Sequence, residues 1–481
     1  MTTFLISLAV LVAGYFVYGL LVEKVFGIDP KRLTPAVSHP DGVDFVPLPA
    51  WKVFMIQFLN IAGVGPIFGA IMGVMFGPAA FLWIVLGTIF AGAVHDFTSA
   101  MLSLRQGGVS LPEVVGNELG GGARQVMRVF SVVLLVLVGA VFVLTPSGLL
   151  ASMTPAYMGV TFWAAAIFLY YLLATMLPID KLIGKLYPLF GGALLFMAVA
   201  LMCVMLFGDV TIPDGMADGL YNRHPEAASH ALFPMLFISI ACGAISGFHA
   251  TQSPMMARCL ENENLARPVF YGAMVAEGVV ALIWAAAAIA FTGGYSQLAE
   301  YMAAEGHTPG TLVHDVSIGW LGTFGGVLAI IGVVAAPITT GDTALRSVRL
   351  IIADTLRLDQ RAFVRRAAVS IPLFAVTFAV MMVDFQVLWR YFAWSNQSLA
   401  VFTLWAVTVY LARNRRFFYI TLLPALFMTV VTVSYIFMAP EGFSLDPALS
   451  LAAGGAAAAL LLAWFAARLP AMRRAGGLAV D

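Results

Sequence analysis

The chain has 481 residues, of which 61% are hydrophobic and only 10% are charged; a soluble globular protein carries about 25% charged residues. The 25 basic and 25 acidic residues cancel, which excludes the electrostatic footprint of a nucleic-acid binder. Three scattered cysteines, Cys203, Cys242 and Cys259, offer neither a disulfide framework nor the spacing of a metal motif.

Thirteen apolar stretches of membrane-spanning length follow one another, at about 4–25, 51–76, 79–104, 124–150, 158–178, 184–208, 231–258, 268–292, 318–348, 364–384, 388–412, 416–438 and 446–468. The first, Phe4–Val25, is too long for a cleavable signal core and has no basic residue ahead of it, so it reads as a spanning helix. Of the 25 Lys and Arg residues, 23 fall in or beside the tail and the loops that follow odd-numbered segments, Lys181 and Lys185 among them; Arg223 and Arg390 are the two on the other side. The positive-inside rule then places the N-terminus outside and the C-terminus in the cytoplasm of a plasma (inner) membrane protein. The longest connections, 26–50, 209–230 and 293–317, read as loops too small to fold as separate domains.

The second segment contains Gly63-Val64-Gly65-Pro66. Proline lacks the amide its turn needs, and glycine loosens the turn before it. Irregular backbone at bilayer depth is tolerated where it is buried in protein or lines a wet cavity. This segment is therefore expected to be a broken helix, with Pro66 at the break. The seventh segment carries a similar interruption in CGAISGFHATQSP (Cys242–Pro254), with Cys242 and Gly243 at its break. Paired broken helices are the mark of secondary transporters built on repeats. Segments 2–6 and 7–11 are two units of five; five is odd, so the second unit enters the membrane from the opposite side. The expected architecture is an all-α polytopic protein with inverted five-helix repeats. Residues 1–50 form an N-terminal addition, 51–208 the first repeat, 231–412 the second, and 413–481 two peripheral helices and a tail.

Seven stretches together resemble the carbon starvation protein A family of inner-membrane transporters: IAGVGP (Ile61–Pro66), AGAVHDF (Ala91–Phe97), KLYPLFG (Lys185–Gly191), CGAISGFHATQSP, YGAMVAEGVVALIW (Tyr271–Trp284), GDTALRSVRLIIAD (Gly341–Asp354) and WRYFAWSNQSLA (Trp389–Ala400). The chain departs from that pattern at Ile56-Gln57, where many members have a His-His pair, and at His95, where many have Gln. The resemblance implies uptake of peptides or pyruvate coupled to a cation gradient. It also implies kinship with the amino-acid and cation symporters that share the inverted repeat.

Charged side chains at bilayer depth cost roughly 2.5–3.5 kcal/mol each on insertion scales, and polar ones also cost unless hydrogen-bonded, so each needs a reason. Asn60, Gly63 and Gly65 at the first break are expected to meet a solute carboxylate or a cation, and Ser246, Gly247, His249, Gln252 and Ser253 at the second a carboxylate or a peptide backbone; Gly69 and Gly73 read as packing. Asn396 and Gln397, with Trp389 and Trp394, are placed on an outer vestibule, although the aromatics also suit an interfacial belt. His95 and Asp96 are candidates for proton coupling, although side chains about 100° apart on a helix need not touch. Thr339, Thr340 and Asp342 form an oxygen-rich patch suited to H+ or Na+, with Na+ expected at Thr339 and Thr340 from the symporter fold; Asp342 also suits an i, i+4 salt bridge with Arg346. Glu277 lies mid-segment and reads equally as a relay or a structural acceptor.

These readings converge on a secondary transporter that rocks segments 2, 3, 7 and 8 against 4, 5, 9 and 10. A channel or a membrane nutrient sensor is the alternative. GxxxxGK[ST] and HExxH are absent, and GxSxG does not occur at a strand-to-helix turn, so neither a nucleotide-driven pump nor an intramembrane enzyme is expected. No catalytic residue, cofactor, nucleic acid or obligate protein partner is expected. The expected partners are the lipid bilayer and a small solute: peptide, pyruvate or amino acid.

Overall fold

The computed structural model describes residues 1–176, 179–216, 219–360 and 362–476. Among them no strand forms; an isolated bridge joins Leu48 to Leu260. The apolar stretches appear as helices α1 (Thr2–Phe26), α2 (Ala50–Ile61 and Gly65–Val74), α3 (Ala79–Arg105), α4 (Gly121–Met153), α5 (Val160–Met176), α6 (Ile179–Phe207) and α7 (Leu232–Ser239 and His249–Ala257). They continue as α8 (Glu263–Thr292), α9 (Pro309–Leu356), α10 (Phe363–Val380), α11 (Phe385–Arg413), α12 (Tyr419–Met438) and α13 (Pro447–Gly476). Among the described residues, nine helices are long and apolar enough to cross a membrane, or ten if the bent pair forming α2 counts as one span. The chain is a multi-pass membrane protein. The connection expected between the fifth and sixth segments falls partly on residues 177–178, and the side chains of Lys181 and Lys185 beyond it also lie outside the described residues.

Both expected breaks are present. The halves of α2 meet at a 54° bend. Pro66 does not itself end the first half. It stands in the opening turn of the second, where a missing amide costs nothing, and the unwound residues are Ala62 to Val64. In α7 the helix stops at Ser239 and resumes at His249, leaving 240–248 irregular.

The expected loop 293–317 is a correction. It holds a helix at Tyr295–Ala303 and the opening turns of α9, which kinks at Gly322, a residue with φ of 66°. Thr308 and Thr311 exchange capping hydrogen bonds at 3.2 and 2.8 Å, and Pro309 stands at the first position, so a helix starts inside the expected loop. The loop after α3 likewise contains a helix, Leu111–Leu119.

One apolar core takes most of α1, α2, α3, α7 and α8, and includes Trp284 and Tyr271. A second joins α4, α5, α9, α10 and α11 through Phe142, Tyr171, Leu345 and Phe374. The buried residues of α1 (Phe4, Leu11, Val22 and Phe26 among them) share one face, while Ile6, Phe16 and Val17 are exposed, as suits a lipid-facing helix.

Ion pairs cross-link one end of the bundle. Glu263 takes Arg105 at 3.0 Å, Arg32 at 3.7 Å and the amide of Asp29 at 2.7 Å. Asp44, from the connection between α1 and α2, reaches Arg346 at 3.5 Å and Arg349 at 3.8 Å on α9. Removing one partner of a buried pair strands the other charge. Glu263→Ala is therefore expected to destabilise the fold by about 3 kcal/mol, read as a lowered melting midpoint of the purified protein. An unchanged midpoint would show that Arg105 finds another acceptor.

Candidate functional site

The two breaks are in contact. A β-carbon placed on Gly65 would lie 2.3 Å from Cβ of Cys242, and one on Gly69 would lie 2.8 Å from the carbonyl of Ser239. Gly73 packs on Ile240 in the same way, so the glycines of α2 form a seam against α7. Gly63 faces Phe142 and Thr340.

Unwinding α7 frees backbone groups that must be satisfied at this depth. Helix α11 supplies much of the answer. Asn396 Oδ1 accepts from Ser246 Oγ at 2.9 Å and from the Phe248 amide at 2.6 Å. Its carbonyl accepts from the Gly247 amide at 3.1 Å, and Gln397 Nε2 donates to the Ile245 carbonyl at 3.0 Å. Thr88 on α3 donates to the Gly243 carbonyl at 3.1 Å. This corrects the expectation for Asn396 and Gln397. Both are fully buried, and they clamp the break rather than line a vestibule. Ser246 and Gly247 are likewise turned to α11 instead of to open space. Ser253 accepts from Gln57 Nε2 at 3.2 Å, and Gln252 Nε2 donates to Thr251 at 2.9 Å and to Ser347 of α9 at 3.4 Å. Asn60 is buried with neither amide atom hydrogen-bonded.

A cavity of about 350 Å³ descends to the seam from the end of the bundle that carries His224 and His230. Its wall includes Gly65, Gly69, Cys242, Trp389 and Phe392. Trp389 thus takes the vestibule position; Trp394 lies in a separate groove with Phe130 and Trp405.

Below Cys242 lies a buried chain of ionisable side chains. His95 Nδ1 is 2.8 Å from Asp96 Oδ1, and His249 Nδ1 is 2.9 Å from Asp96 Oδ2. Neighbouring residues on α3 do touch, although helical geometry does not require it, because the imidazole folds back onto the adjacent carboxylate. On the far side, His249 Nε2 is 3.5 Å from Glu277 Oε2, and neither oxygen of Glu277 takes a hydrogen bond.

A second centre joins α9 to the first break. Thr340 Oγ1 lies 2.9 Å from the Leu59 carbonyl and 2.8 Å from that of Ala336, to which Thr339 Oγ1 also donates at 2.8 Å. Asp342 Oδ2 accepts from Tyr187 at 2.8 Å, whereas its Oδ1 has no hydrogen bond. Arg346 donates to the Ala174 carbonyl at 2.8 Å besides its contact with Asp44. The close partner of Asp342 is thus a tyrosine from α6 rather than the arginine one turn on. Tyr187 was not among the expected site residues; its signal is that a hydroxyl sits mid-membrane, in KLYPLFG.

A family model described as carbon starvation protein CstA matches residues 1–162 and 156–319. The chain belongs to the carbon starvation protein CstA family. A Haemophilus influenzae relative described as an uncharacterized membrane protein is 43% identical over 338 residues, covering 60% of this chain and 91% of the relative. The Campylobacter jejuni peptide transporter CstA is 32% identical over 342 residues, covering 58% of this chain and 48% of the relative. The Escherichia coli pyruvate/proton symporter BtsT is 31% identical over 345 residues, covering 58% and 47%. The chain spans about half the length of these two relatives. Among solved structures, a histidine-to-alanine mutant of the Eremococcus coleocola manganese transporter superposes with a TM-score of 0.52 over 91% of this chain and 99% of that one, at 13% identity. The fold is therefore shared with a helical transporter.

Proposed function

We propose that the protein is a secondary active transporter that imports a small carboxylate-bearing nutrient, a short peptide or pyruvate, by alternating access coupled to a proton gradient. The observation that carries this reading is the meeting of two discontinuous helices at the floor of a cavity open at one end and cross-linked by ion pairs at the other. The distribution of basic residues supports an open end that faces outside. Asp44 bridging to Arg346 and Arg349 is then an inner gate, closed while the outer vestibule is open. Gly65 begins the second half of α2 and lines the cavity, so a helix N-terminus with its partial positive charge borders the solute. A short helix inside each unit also supports the repeat: Leu111–Leu119 follows α3 in the first, and Tyr295–Ala303 follows α8, its counterpart, in the second.

Asp342 is the proposed proton carrier. It is buried, keeps one oxygen without a hydrogen bond, and sits two residues from the Thr340–Leu59 contact that ties α9 to the break. A sodium ion at Thr339 and Thr340 is the less favoured reading, because both hydroxyls are engaged by carbonyls of Ala336 and Leu59. The relatives named as peptide and pyruvate transporters support the solute class.

The test is a stabilisation screen of the purified protein with keto acids, amino acids and short peptides, with and without sodium, followed by counterflow in proteoliposomes. A true solute at a hundredfold excess over its dissociation constant is expected to add about 2.7 kcal/mol of stability and to exchange with its labelled form without requiring sodium. Absence of exchange with every class would refute the transporter reading.

A further inference from the structure

We propose that Cys242, His249 and Glu277 form a binding site for a divalent transition-metal ion of the zinc class. One donor atom from each residue lies within 4.8 Å of the other two, and all three residues are buried. They come from the irregular stretch of α7, from the first residue of its second half and from the middle of α8. The break in α7 is what turns Cys242 towards the imidazole.

Three features of the cluster point to a cation. Neither oxygen of Glu277 accepts a hydrogen bond, and His249 Nε2, 3.5 Å away, has none either. A carboxylate left in this state at bilayer depth is costly, and an ion between the three side chains would satisfy the carboxylate and the nitrogen together, with the Cys242 sulfur, now 3.7 Å from Asn396 Nδ2, as the third donor. Secondly, Asp96 accepts from Nδ1 of His249 at 2.9 Å, which puts the proton on that nitrogen and leaves the Nε2 lone pair free on the side of Glu277 and Cys242. His95, 2.8 Å from the other oxygen, anchors Asp96 in turn. This is the carboxylate–imidazole pairing that orients histidines bound to zinc. Thirdly, a thiolate and a carboxylate balance a divalent charge, so the ion and its three ligands sum to zero.

Sulfur, imidazole nitrogen and a single carboxylate select a borderline-soft ion rather than sodium, magnesium or calcium. Three protein ligands leave a tetrahedral ion one further position. Cys242 also lines the vestibule floor, which supplies the route of entry. Asp96 is accordingly a positioning residue for His249, and the site stands whichever carboxylate the vestibule receives.

The full-length purified chain, stripped with a chelator, is titrated with Zn2+ and examined by X-ray absorption at the zinc edge. One equivalent is expected to bind, with one sulfur at about 2.3 Å and nitrogen and oxygen ligands completing the shell. Cys242→Ser is expected to remove the sulfur, whereas serine at Cys203 or Cys259 leaves the spectrum unchanged. Glu277→Gln should weaken binding at least tenfold, and Asp96→Asn by about 10–100-fold with the sulfur ligand retained. No stoichiometric binding by the wild-type chain, a shell without sulfur, sulfur that persists in Cys242→Ser, or equal affinity in Glu277→Gln would each overturn the proposal. The sulfur signature and stoichiometry are read on the unmodified chain, so a variant that fails to fold does not remove the test. Because the readout is binding rather than uptake, its failure is distinguishable from failure of the transport reading.

Discussion

Gly65→Leu is expected to reduce uptake to background while the protein still inserts and runs as a single species on gel filtration. The reason lies in the seam between the broken helices. A β-carbon alone at this position would sit 2.3 Å from Cβ and 2.4 Å from Sγ of Cys242. Overpacking of this kind costs typically 1–3 kcal/mol, and it can be relieved only by moving α2 away from α7 or by pushing Cys242 into the vestibule floor. Either displacement spoils the place where the solute is proposed to bind. Gly65→Ala should show a partial loss. Gly192 on α6, whose added β-carbon would meet nothing within 4 Å, is the control, and its leucine variant should transport normally. Normal uptake by Gly65→Leu at normal membrane levels would remove this seam as the centre of transport.

Asp342→Asn is expected to abolish accumulation driven by a pH gradient while preserving counterflow. Asparagine is almost the same size and its oxygen can still accept from Tyr187, so the packing of α6 against α9 survives. What disappears is the group that takes up and releases a proton beside the first break. Tyr187→Phe supplies the complementary test: it removes a hydrogen bond of 2.8 Å but keeps the carboxylate. Accumulation should persist in that variant with a changed dependence on outside pH. Undiminished accumulation by Asp342→Asn would assign coupling to another group.

The membrane class, the helical segments and both broken helices were legible from composition, apolar run length and the glycine and proline breakers. These are properties of contiguous residues, and bilayer thickness and backbone hydrogen bonding act on them segment by segment. The helix at Tyr295–Ala303 and the early start of α9 lie in 293–317, which reads as a loop because it is polar and rich in Gly, although Thr308-Pro309 is also a sound way to begin a helix. His95 and Asp96 were singled out as candidates, yet their direct contact depends on a rotamer that no spacing rule reveals.

The order of residues alone decided that this chain crosses the membrane, where its helices break and which few polar groups are carried to bilayer depth, because each of these follows from neighbours along the backbone. Tertiary packing decided which of those polar groups serve the backbone and which stand open. Asn396 was drawn to the unwound stretch of α7, Asp342 to Tyr187, and Cys242, His249 and Glu277 to one another. Partners so far apart in the chain meet only when whole helices dock, and at that depth there is no water to satisfy a group that docking leaves unpaired.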